Sequence, residues 1–405
     1  MIHFANSAAT TPNPPVVPDT RTATEVESFC RVFSVEEKVA STAIPNLKNI
    51  LGIHNPLTFS MLKGGNKNCP ILVTKHDGNR ALPFAVLKRE SKPQSATARL
   101  RIIDMMQRQG CRQLPHIFKS KDNAYLVPVG KNIFSCMAYI KSDVEGRSLF
   151  TLDQMFELVR AFHAHSRLVP EIEDLGARDI DRYSDIKYAQ LAPELMAWNS
   201  ALFTSEAWGR CVKCARYFIQ PSFRAIYNQL PVHVVHGDIH SGNVIVSNGQ
   251  HFLVDFDLLK KDIRLLDFVT FAGSINLDEF LRVVEEGRLS SFIHAHYGNL
   301  EEIEEKYLPF IVLFGRCCAL SWSLGVLKEA IVNKDAEKIA HFKAFVESRI
   351  HEIDRLYTHI PEIRAAIPSE AVTRQDLFHK KINMGAHIFN TCREALKRIW
   401  KSVFP

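Results

Sequence analysis

Three polar side chains near the middle of the chain have the chemistry to bind a metal ion and to move a proton. Asp238 and Asn243 lie in the segment His236–Asn243, and Asp255 follows Asn243 by 12 residues at the end of an apolar run. A carboxylate can orient a hydroxyl group and accept its proton, and magnesium prefers carboxylate, amide and phosphate oxygens. These residue types predict phosphoryl transfer, with Asp238 acting on the acceptor hydroxyl and with Asn243 and Asp255 holding the metal.

The spacing of these residues favours the same chemistry. Four residues separate Asp238 from Asn243, as in the kinase loop pattern H-R-D-x-x-x-x-N. Apolar runs on both sides of Asn248 and Gly249 predict a hairpin, which would return Asp255 to the loop. A polar turn between strands, without a catalytic role, is the alternative interpretation.

At these residues the chain resembles a known group of enzymes. The strings VVHGDIHSGNVIV and FLVDFD are similar to those of the aminoglycoside phosphotransferase and choline kinase-like superfamily, with Gly237 where protein kinases have Arg. The resemblance covers residues from about 50 to about 355. It implies an α+β, protein-kinase-like two-lobed fold, with a small antiparallel-sheet N-lobe containing one helix and a larger, mostly helical C-lobe. It also implies ATP and Mg²⁺ as cofactors, and a small-molecule hydroxyl, such as that of an amino alcohol or an aminosugar, as the phosphate acceptor.

The resemblance implies roles for further polar residues. Asp257 would contact a second metal ion or an acceptor group, with a solvated loop carboxylate as the alternative. Asp267 would brace the catalytic loop. His236 is expected to hold the loop by hydrogen bonding, whereas the role of His240 stays open.

Extended runs between residues 45 and 140 predict a small sheet with one helix. The runs LTFSML, PILVTK and LPFAVLK are separated by turn residues, which predicts three successive antiparallel strands. Pro93 is expected to open a helix that ends at Gly110. Two more extended runs, AYLVPVG and FSCMAYI, follow the helix.

Three parts of this sheet are expected to contact the nucleotide. Gly64 and Gly65 would let backbone amides approach phosphate groups, although a plain hairpin turn uses the same residues. Lys88 ends the third strand, where kinases place the lysine that binds phosphates. The resemblance also places an adenine-binding hinge in four successive residues, Met137, Ala138, Tyr139 and Ile140.

The helix after Lys88 departs from the kinase pattern. That helix normally carries a Glu that pairs with the lysine, and here it contains none. Counting forward from Lys88 selects Asp104, whereas counting back from Gly110 selects Arg99, which would form no ion pair with a lysine. We expect Asp104 to take the role.

The chain after Gly146 has helical patterning for most of its length. We expect residues 45–140 to form the ATP-binding lobe and residues 141–360 to form the catalytic and substrate-binding lobe. Residues 1–24 are rich in Ala, Thr and Pro and are expected to be a disordered lead-in. Residues 373–405 form a basic amphipathic appendage that would pack on the helical lobe, bind a partner or lie on a membrane surface.

Composition argues against other classes of protein. The 405-residue chain is 46% hydrophobic and has a net charge of +6, which is mild for a nucleic-acid-binding protein. It contains no run of 18 apolar residues that would predict a membrane span. Nine scattered cysteines favour a reducing cytoplasm over a disulfide framework. Cys211 and Cys214 are expected to be structural, because no second pair stands at zinc spacing.

Substrate contacts are expected from the helical lobe. Six acidic residues between Glu171 and Asp185 would attract a cationic substrate, or they form a solvated loop. Two other hypotheses are a protein kinase and a pseudokinase that binds nucleotide or a partner without turnover. The stretch from Asp257 to Asp267 is short for the activation segment of a protein kinase. The complete catalytic set argues against the pseudokinase.

Overall fold

A five-stranded antiparallel sheet forms the centre of the N-terminal lobe. Its strands are β1 (Leu57–Met61), β2 (Ile71–Asp77), β3 (Arg80–Arg89), β4 (Leu126–Val129) and β5 (Asn132–Ala138). The strand order is β1-β2-β3-β5-β4. The structure is a computed structural model, and it describes residues 25–62, 70–120, 122–143, 150–169, 193–269 and 277–367.

A bulge interrupts the pairing of β2 with β3. The register shifts between Val73 and Thr74, so that Phe84 is the extra residue on β3. Proline has no backbone N–H to donate, and a bulge allows Pro83 to lie inside the sheet. The carbonyl of Phe84 accepts the N–H of Tyr139 at 3.0 Å, which ties β3 to the segment that leaves β5.

Two helices that precede the sheet cover one of its faces. They are α1 (Glu25–Phe33) and α2 (Glu37–Leu51). The rings of Phe29 and Phe33 stack at 4.2 Å between centroids, and both meet Phe59 of β1 edge-on. This aromatic cluster is part of a core that is separate from the core of the helical lobe.

The carboxylate of Glu25 joins α1 to its neighbours. It accepts the N–H of Leu57 at 2.8 Å and the ammonium of Lys48 at 3.0 Å. The boundary expected at residue 45 omits α1 and much of α2. Short helices carry a weak local signal because most of their stability comes from tertiary packing, and here the sheet supplies that packing.

Helix α3 (Pro93–Arg108) follows β3, and its Arg99 pairs at 3.0 Å with Glu90, the residue directly after that strand. The helix begins at Pro93, as predicted, and the chain turns away at Gly110, whose φ is +95°. Buried α3 residues, among them Ile102 and Ile103, join the core of the helical lobe. Helix α3 therefore connects the two lobes mechanically.

Helices make up most of the C-terminal lobe. They are α4 (Leu152–Ser166), α5 (Pro193–Trp198), α6 (Ser200–Phe203), α7 (Glu206–Phe218), α8 (Pro221–Gln229), α9 (Leu266–Val269), α10 (Leu277–Glu285), α11 (Leu289–His296), α12 (Glu302–Val332), α13 (Ala336–His359) and α14 (Pro361–Ala366). The long helices α12 and α13 pack against each other, and α7 packs on both.

Helix α12 is long and apolar enough to cross a membrane by length and composition alone. In the structure, 61% of its most apolar stretch is buried inside the protein. Arg316 lies in the middle of this helix and pairs with Glu352 of α13 at 3.4 Å. The burial and the ion pair show that α12 packs as a core helix of the C-terminal lobe.

Two short strand pairs interrupt the helices and frame the predicted catalytic segment. Strands β6 (Val232–Val235) and β9 (Lys260–Ile263) pair with each other, as do β7 (Val244–Ser247) and β8 (Gln250–Leu253). Asn248 and Gly249, which connect β7 to β8, both have positive φ, at 50° and 70°. This confirms the predicted hairpin, since such tight turns require positive φ at both central residues.

The α+β two-lobed architecture confirms the fold class predicted from the sequence. Several other predictions fall outside the described residues. These are the lead-in at 1–24, the phosphate-loop glycines Gly64 and Gly65, the acidic cluster between Glu171 and Asp185, and the appendage at 373–405.

Truncating Phe29 tests whether α1 is an integral part of the N-terminal lobe. Phe29 is fully buried, so Phe29→Ala should lower the free energy of unfolding by about 3–5 kcal/mol. Met61→Ala, at a side chain that is 48% exposed, is the control and should change it by less than about 0.5 kcal/mol. Chemical denaturation measures both. Equal stability of the two variants would show that α1 is dispensable.

Candidate active site

The loop after β6 carries Asp238 and Asn243. The side-chain amide of Asn243 donates to the backbone carbonyl of Asp238 at 3.0 Å and to its carboxylate at 3.1 Å. Asn243 is buried, whereas the side chain of Asp238 is 36% exposed. The ring of His240 lies 3.7 Å from the same carboxylate. Asp238 is thus held in one orientation while it stays open to a substrate.

Asp267 binds the backbone of this loop through hydrogen bonds. Its carboxylate accepts the backbone N–H groups of His236 at 3.0 Å and Gly237 at 2.7 Å, and it lies 2.8 Å from Nε2 of His163. Asp267 is fully buried. A buried carboxylate needs such donors, because burial of an unpaired charge is very costly. This geometry agrees with the bracing role expected for Asp267.

Gly237 lies where no side chain can be placed. Its φ is +80°, and a Cβ atom would lie 2.7 Å from the carbonyl oxygen of Leu258. Real Cβ atoms do not approach backbone that closely, and positive φ already disfavours other residues. The close approach of two backbone segments explains why this position is Gly and not the Arg of protein kinases.

His163 is a functional neighbour that sequence analysis missed. It lies on α4 and is buried. Its Nε2–H faces Asp267, and its Nδ1 lies 2.9 Å from the hydroxyl of Tyr297. Burial raises the pKa of Tyr297 to about 12, so its hydroxyl keeps the proton that it donates to His163. The only signal in the sequence was a polar residue within the apolar stripe of a helix.

His236 also acts through hydrogen bonding. It is fully buried, and its Nε2 lies 3.1 Å from the carbonyl oxygen of Val254. Burial lowers the pKa of His236, against the opposing effects of Asp267 and Asp238. The neutral ring therefore donates one hydrogen bond that joins the catalytic loop to the end of β8.

Lys88 reaches from β3 across the lobes to two aspartates. Its ammonium lies 2.6 Å from Oδ1 of Asp255 and 2.8 Å from Oδ1 of Asp257. Burial by itself would lower the pKa of Lys88, but the two carboxylates outweigh it and raise the pKa. Burial likewise acts to raise the pKa of Asp255, and the charge of Lys88 reverses this and lowers it. Lys88 and Asp255 are therefore both charged at neutral pH.

The donor set around this ammonium fits magnesium. Lys88 shows that one cation can contact both Asp255 and Asp257. Because the nitrogen of the Asn243 amide is used by Asp238, the amide oxygen is the atom that can face a metal. The described residues include no group of three or more His, Cys, Asp or Glu side chains suited to a metal ion. Magnesium commonly uses one or two carboxylates and completes its shell with phosphate oxygens and water.

The expected pairing of Asp104 with Lys88 is corrected by the structure. The carboxylate of Asp104 lies 3.0 Å from the ammonium of Lys119 and 2.9 Å from the hydroxyl of Tyr125. Arg99 is the α3 residue next to the site, 3.6 Å from Asp257. Five residues along a helix correspond to a rotation of about 140°, so Arg99 and Asp104 cannot face the same neighbour.

The predicted hinge joins the lobes, and two of its amides are used within the protein. The N–H of Ala138 donates to the carbonyl of His116 at 2.8 Å, and that of Tyr139 donates to Phe84 at 3.0 Å. Adenine would have to use other backbone groups of the segment from Met137 to Ile140. Asp143, just beyond it, donates its N–H to Val246 of the C-terminal lobe at 2.8 Å.

The fold and the site together define a phosphotransferase of the kinase-like class. The sequence profile of the phosphotransferase enzyme family matches residues 76–302, which is more than half of the chain. The chain belongs to this family. It is therefore an enzyme that transfers a phosphoryl group to an alcohol group.

Solved structures show the same fold. A spectinomycin phosphotransferase, solved with ADP and spectinomycin, is 14% identical with a TM-score of 0.54, over 79% of this chain and 98% of that one. The amicoumacin kinase hAmiN, solved with AMP-PNP, Ca²⁺ and its ligand, is 14% identical with a TM-score of 0.52, over 79% and 95% of the two chains. Among curated proteins, no sequence matches significantly.

Asp267→Asn tests the bracing of the catalytic loop. One of the donors that now faces a carboxylate oxygen would face an NH₂ group instead, and a buried unsatisfied donor costs about 1–3 kcal/mol. We expect a loss of that size in the free energy of unfolding, together with a fall in kcat larger than any rise in the KM for the nucleotide. Denaturation and steady-state kinetics measure the two effects.

Asp278→Asn is the matched control for this substitution, because the side chain of Asp278 is 81% exposed. It should leave both stability and kcat close to wild type. If Asp267→Asn behaved like this control, the hydrogen bonds to the loop would have no role in positioning it.

Proposed function

We propose that the enzyme is an ATP- and Mg²⁺-dependent kinase that transfers the γ-phosphate to a hydroxyl group of a small molecule, with Asp238 as the catalytic base. One observation carries the proposal. Lys88 contacts Asp255, the adjacent Val254 N–H donates to the carbonyl of Asn243 at 2.9 Å, and Asn243 holds Asp238. A continuous chain of contacts thus connects Lys88, which we assign to the nucleotide, with Asp238, which we assign to the acceptor hydroxyl.

Each of these residues has a distinct role in the proposal. Asn243, Asp255 and Asp257 would hold the magnesium ion, which offsets the negative charge of the phosphates. Lys88 would pair with phosphate oxygens. Asp238 would orient the acceptor hydroxyl and accept its proton. The bound ADP and AMP-PNP of the two similar structures support a nucleotide cofactor.

A small-molecule acceptor is favoured over a protein. The residues from Asp257 to Asp267 are all described, and a 3-10 turn, strand β9 and the start of α9 take up most of them. Strand β9 pairs with β6 directly. No activation segment that could dock a peptide lies between these two aspartates. We infer an amino alcohol or an aminosugar as the acceptor class, by analogy with the spectinomycin and amicoumacin enzymes.

A second candidate function is nucleotide binding without turnover. It is favoured by the contact of Lys88 with Asp255 and Asp257, because the lysine then occupies the carboxylates that a metal would need. Binding of AMP-PNP by calorimetry, combined with a product screen by mass spectrometry over amino alcohols, sugars and aminoglycosides, separates the two functions. Binding without product from any acceptor would favour the non-catalytic one.

We infer a reducing compartment such as the cytoplasm from the thiols. Seven cysteines fall in the described ranges, and each of them is a thiol and not half of a disulfide. Cys211 and Cys214 are buried in α7, and burial raises the pKa of both thiols well above the ordinary value. Thiols that stay protonated are poor metal ligands and poor nucleophiles, which supports a structural role.

Asp238→Asn tests the proposed base. The substitution keeps the shape of the side chain and the contact with Asn243 but removes the basic carboxylate. We expect product formation to fall by about 10²–10⁴-fold, while the affinity for AMP-PNP stays near that of wild type. Mass spectrometry and calorimetry measure these quantities, with Asp77→Asn at the exposed end of β2 as the control. Near-normal product formation would refute the assignment.

Asp255→Ala tests the proposed metal site. Loss of a ligand to a metal that stabilises transferring charge should lower turnover by about 10²-fold or more. Binding of AMP-PNP in the presence of Mg²⁺ should weaken, whereas binding without Mg²⁺ should change little. Calorimetry with and without Mg²⁺ makes the comparison. Turnover at the wild-type level would rule out Asp255 as a metal ligand.

A further inference from the structure

Arg99 is a nearly buried cation beside the proposed metal ligands. Its side chain is 12% exposed. Its guanidinium lies 3.0 Å from the carboxylate of Glu90, 2.9 Å from the hydroxyl of Ser95 and 3.6 Å from the carboxylate of Asp257. Helix α3 also packs against the turn that contains Asp257. One side chain therefore links the helix, the sheet and the metal-binding segment.

Glu90 fixes the position of Arg99. Its side chain is 7% exposed, and its second carboxylate oxygen accepts the hydroxyl of Ser135 at 2.6 Å. Its backbone N–H donates to the carbonyl of Ile133 at 2.8 Å. Because side chains alternate along a strand, Glu90 and Lys88 project from the same side of the sheet. Strand β3 thus supplies the lysine, and the residue directly after it supplies the carboxylate.

This arrangement reverses the usual polarity of the contact between strand and helix. Kinases place a helix Glu against the strand Lys, whereas here a helix Arg lies against a Glu that directly follows the strand. Lys88 contacts Asp255 and Asp257 instead of a helix carboxylate. If Lys88 paired with phosphates instead, Arg99 would be the cation left beside Asp257.

We propose that Arg99, anchored by Glu90, is a positioning residue that holds Asp257 in place for the metal. The inference rests on the proposed function, because it concerns binding of Mg²⁺ and nucleotide at the same site. Arg99 would take over the task of connecting α3 to the site, which the Lys–Glu pair performs in other kinases. The side chain of Asp257 is 44% exposed, so with Lys88 engaged by phosphates the contact with Arg99 would be what keeps the carboxylate from rotating into solvent.

The test is the Mg²⁺ dependence of AMP-PNP binding, measured by calorimetry on the full chain. Arg99→Gln should raise the Mg²⁺ concentration that gives half-maximal binding by about 10–100-fold, as is usual when a residue that orients a metal ligand is lost. Binding without Mg²⁺ should change by much less. Arg99→Lys keeps the positive charge, so its half-maximal Mg²⁺ concentration should lie between those of wild type and Arg99→Gln.

Two further variants separate positioning from structure. Glu90→Gln removes the anchor and leaves Arg99 in the chain, so it should shift the Mg²⁺ dependence in the same direction as Arg99→Gln. Arg101→Gln, at an exposed position of the same helix, is the control and should shift nothing. Thermal unfolding of each variant shows whether it is folded.

The outcomes are distinct. Folded Arg99→Gln and Glu90→Gln proteins with the Mg²⁺ dependence of wild type would overturn the inference and leave the proposed function standing. A change in thermal stability alone, without a shift in Mg²⁺ dependence, would do the same. Wild-type protein that fails to bind AMP-PNP with Mg²⁺ would overturn both the proposed function and the inference.

Discussion

The hydrogen bonds of one buried carboxylate, that of Asp267, organise the catalytic loop. Burial of an unpaired charge is too costly to tolerate, so every donor around Asp267 is constrained by it. Two of these donors are backbone N–H groups of the loop itself, and the third is the ring of His163. Gly237, whose N–H is one of these donors, has a positive φ, and Asn243 then fixes the side chain of Asp238 in the same loop.

Electrostatics connect this rigid loop to the N-terminal lobe. Lys88 and Arg99 both approach the aspartates that follow β8, one from the strand and one from the helix. With Glu90 counted, two cations face three carboxylates before any metal binds. The excess of one carboxylate over the two cations would favour the divalent cation that we propose for this position.

Local patterns made the catalytic segment predictable. The spacing of Asp238 and Asn243 and the turn after β7 depend on residues within a few positions of one another, so the sequence alone specifies them. The partner of Lys88 was predicted as Asp104 and is Asp255 together with Asp257. The helical period indicates which residues of α3 share a face, but the rotation of the helix against the sheet depends on packing that no local count contains.

The sequence by itself determined the class of fold and the residue types and spacing of the proposed catalytic loop, because these depend on short-range patterns. Tertiary structure decided the contacts between distant segments. His163 lies 104 residues from Asp267, and Lys88 lies 167 residues from Asp255. Such pairs form only when two complete elements pack together, and their energy depends on the depth and geometry of that packing. The coverage of the sheet by α1 has the same origin, since an apolar helix face finds its partner only in the folded protein.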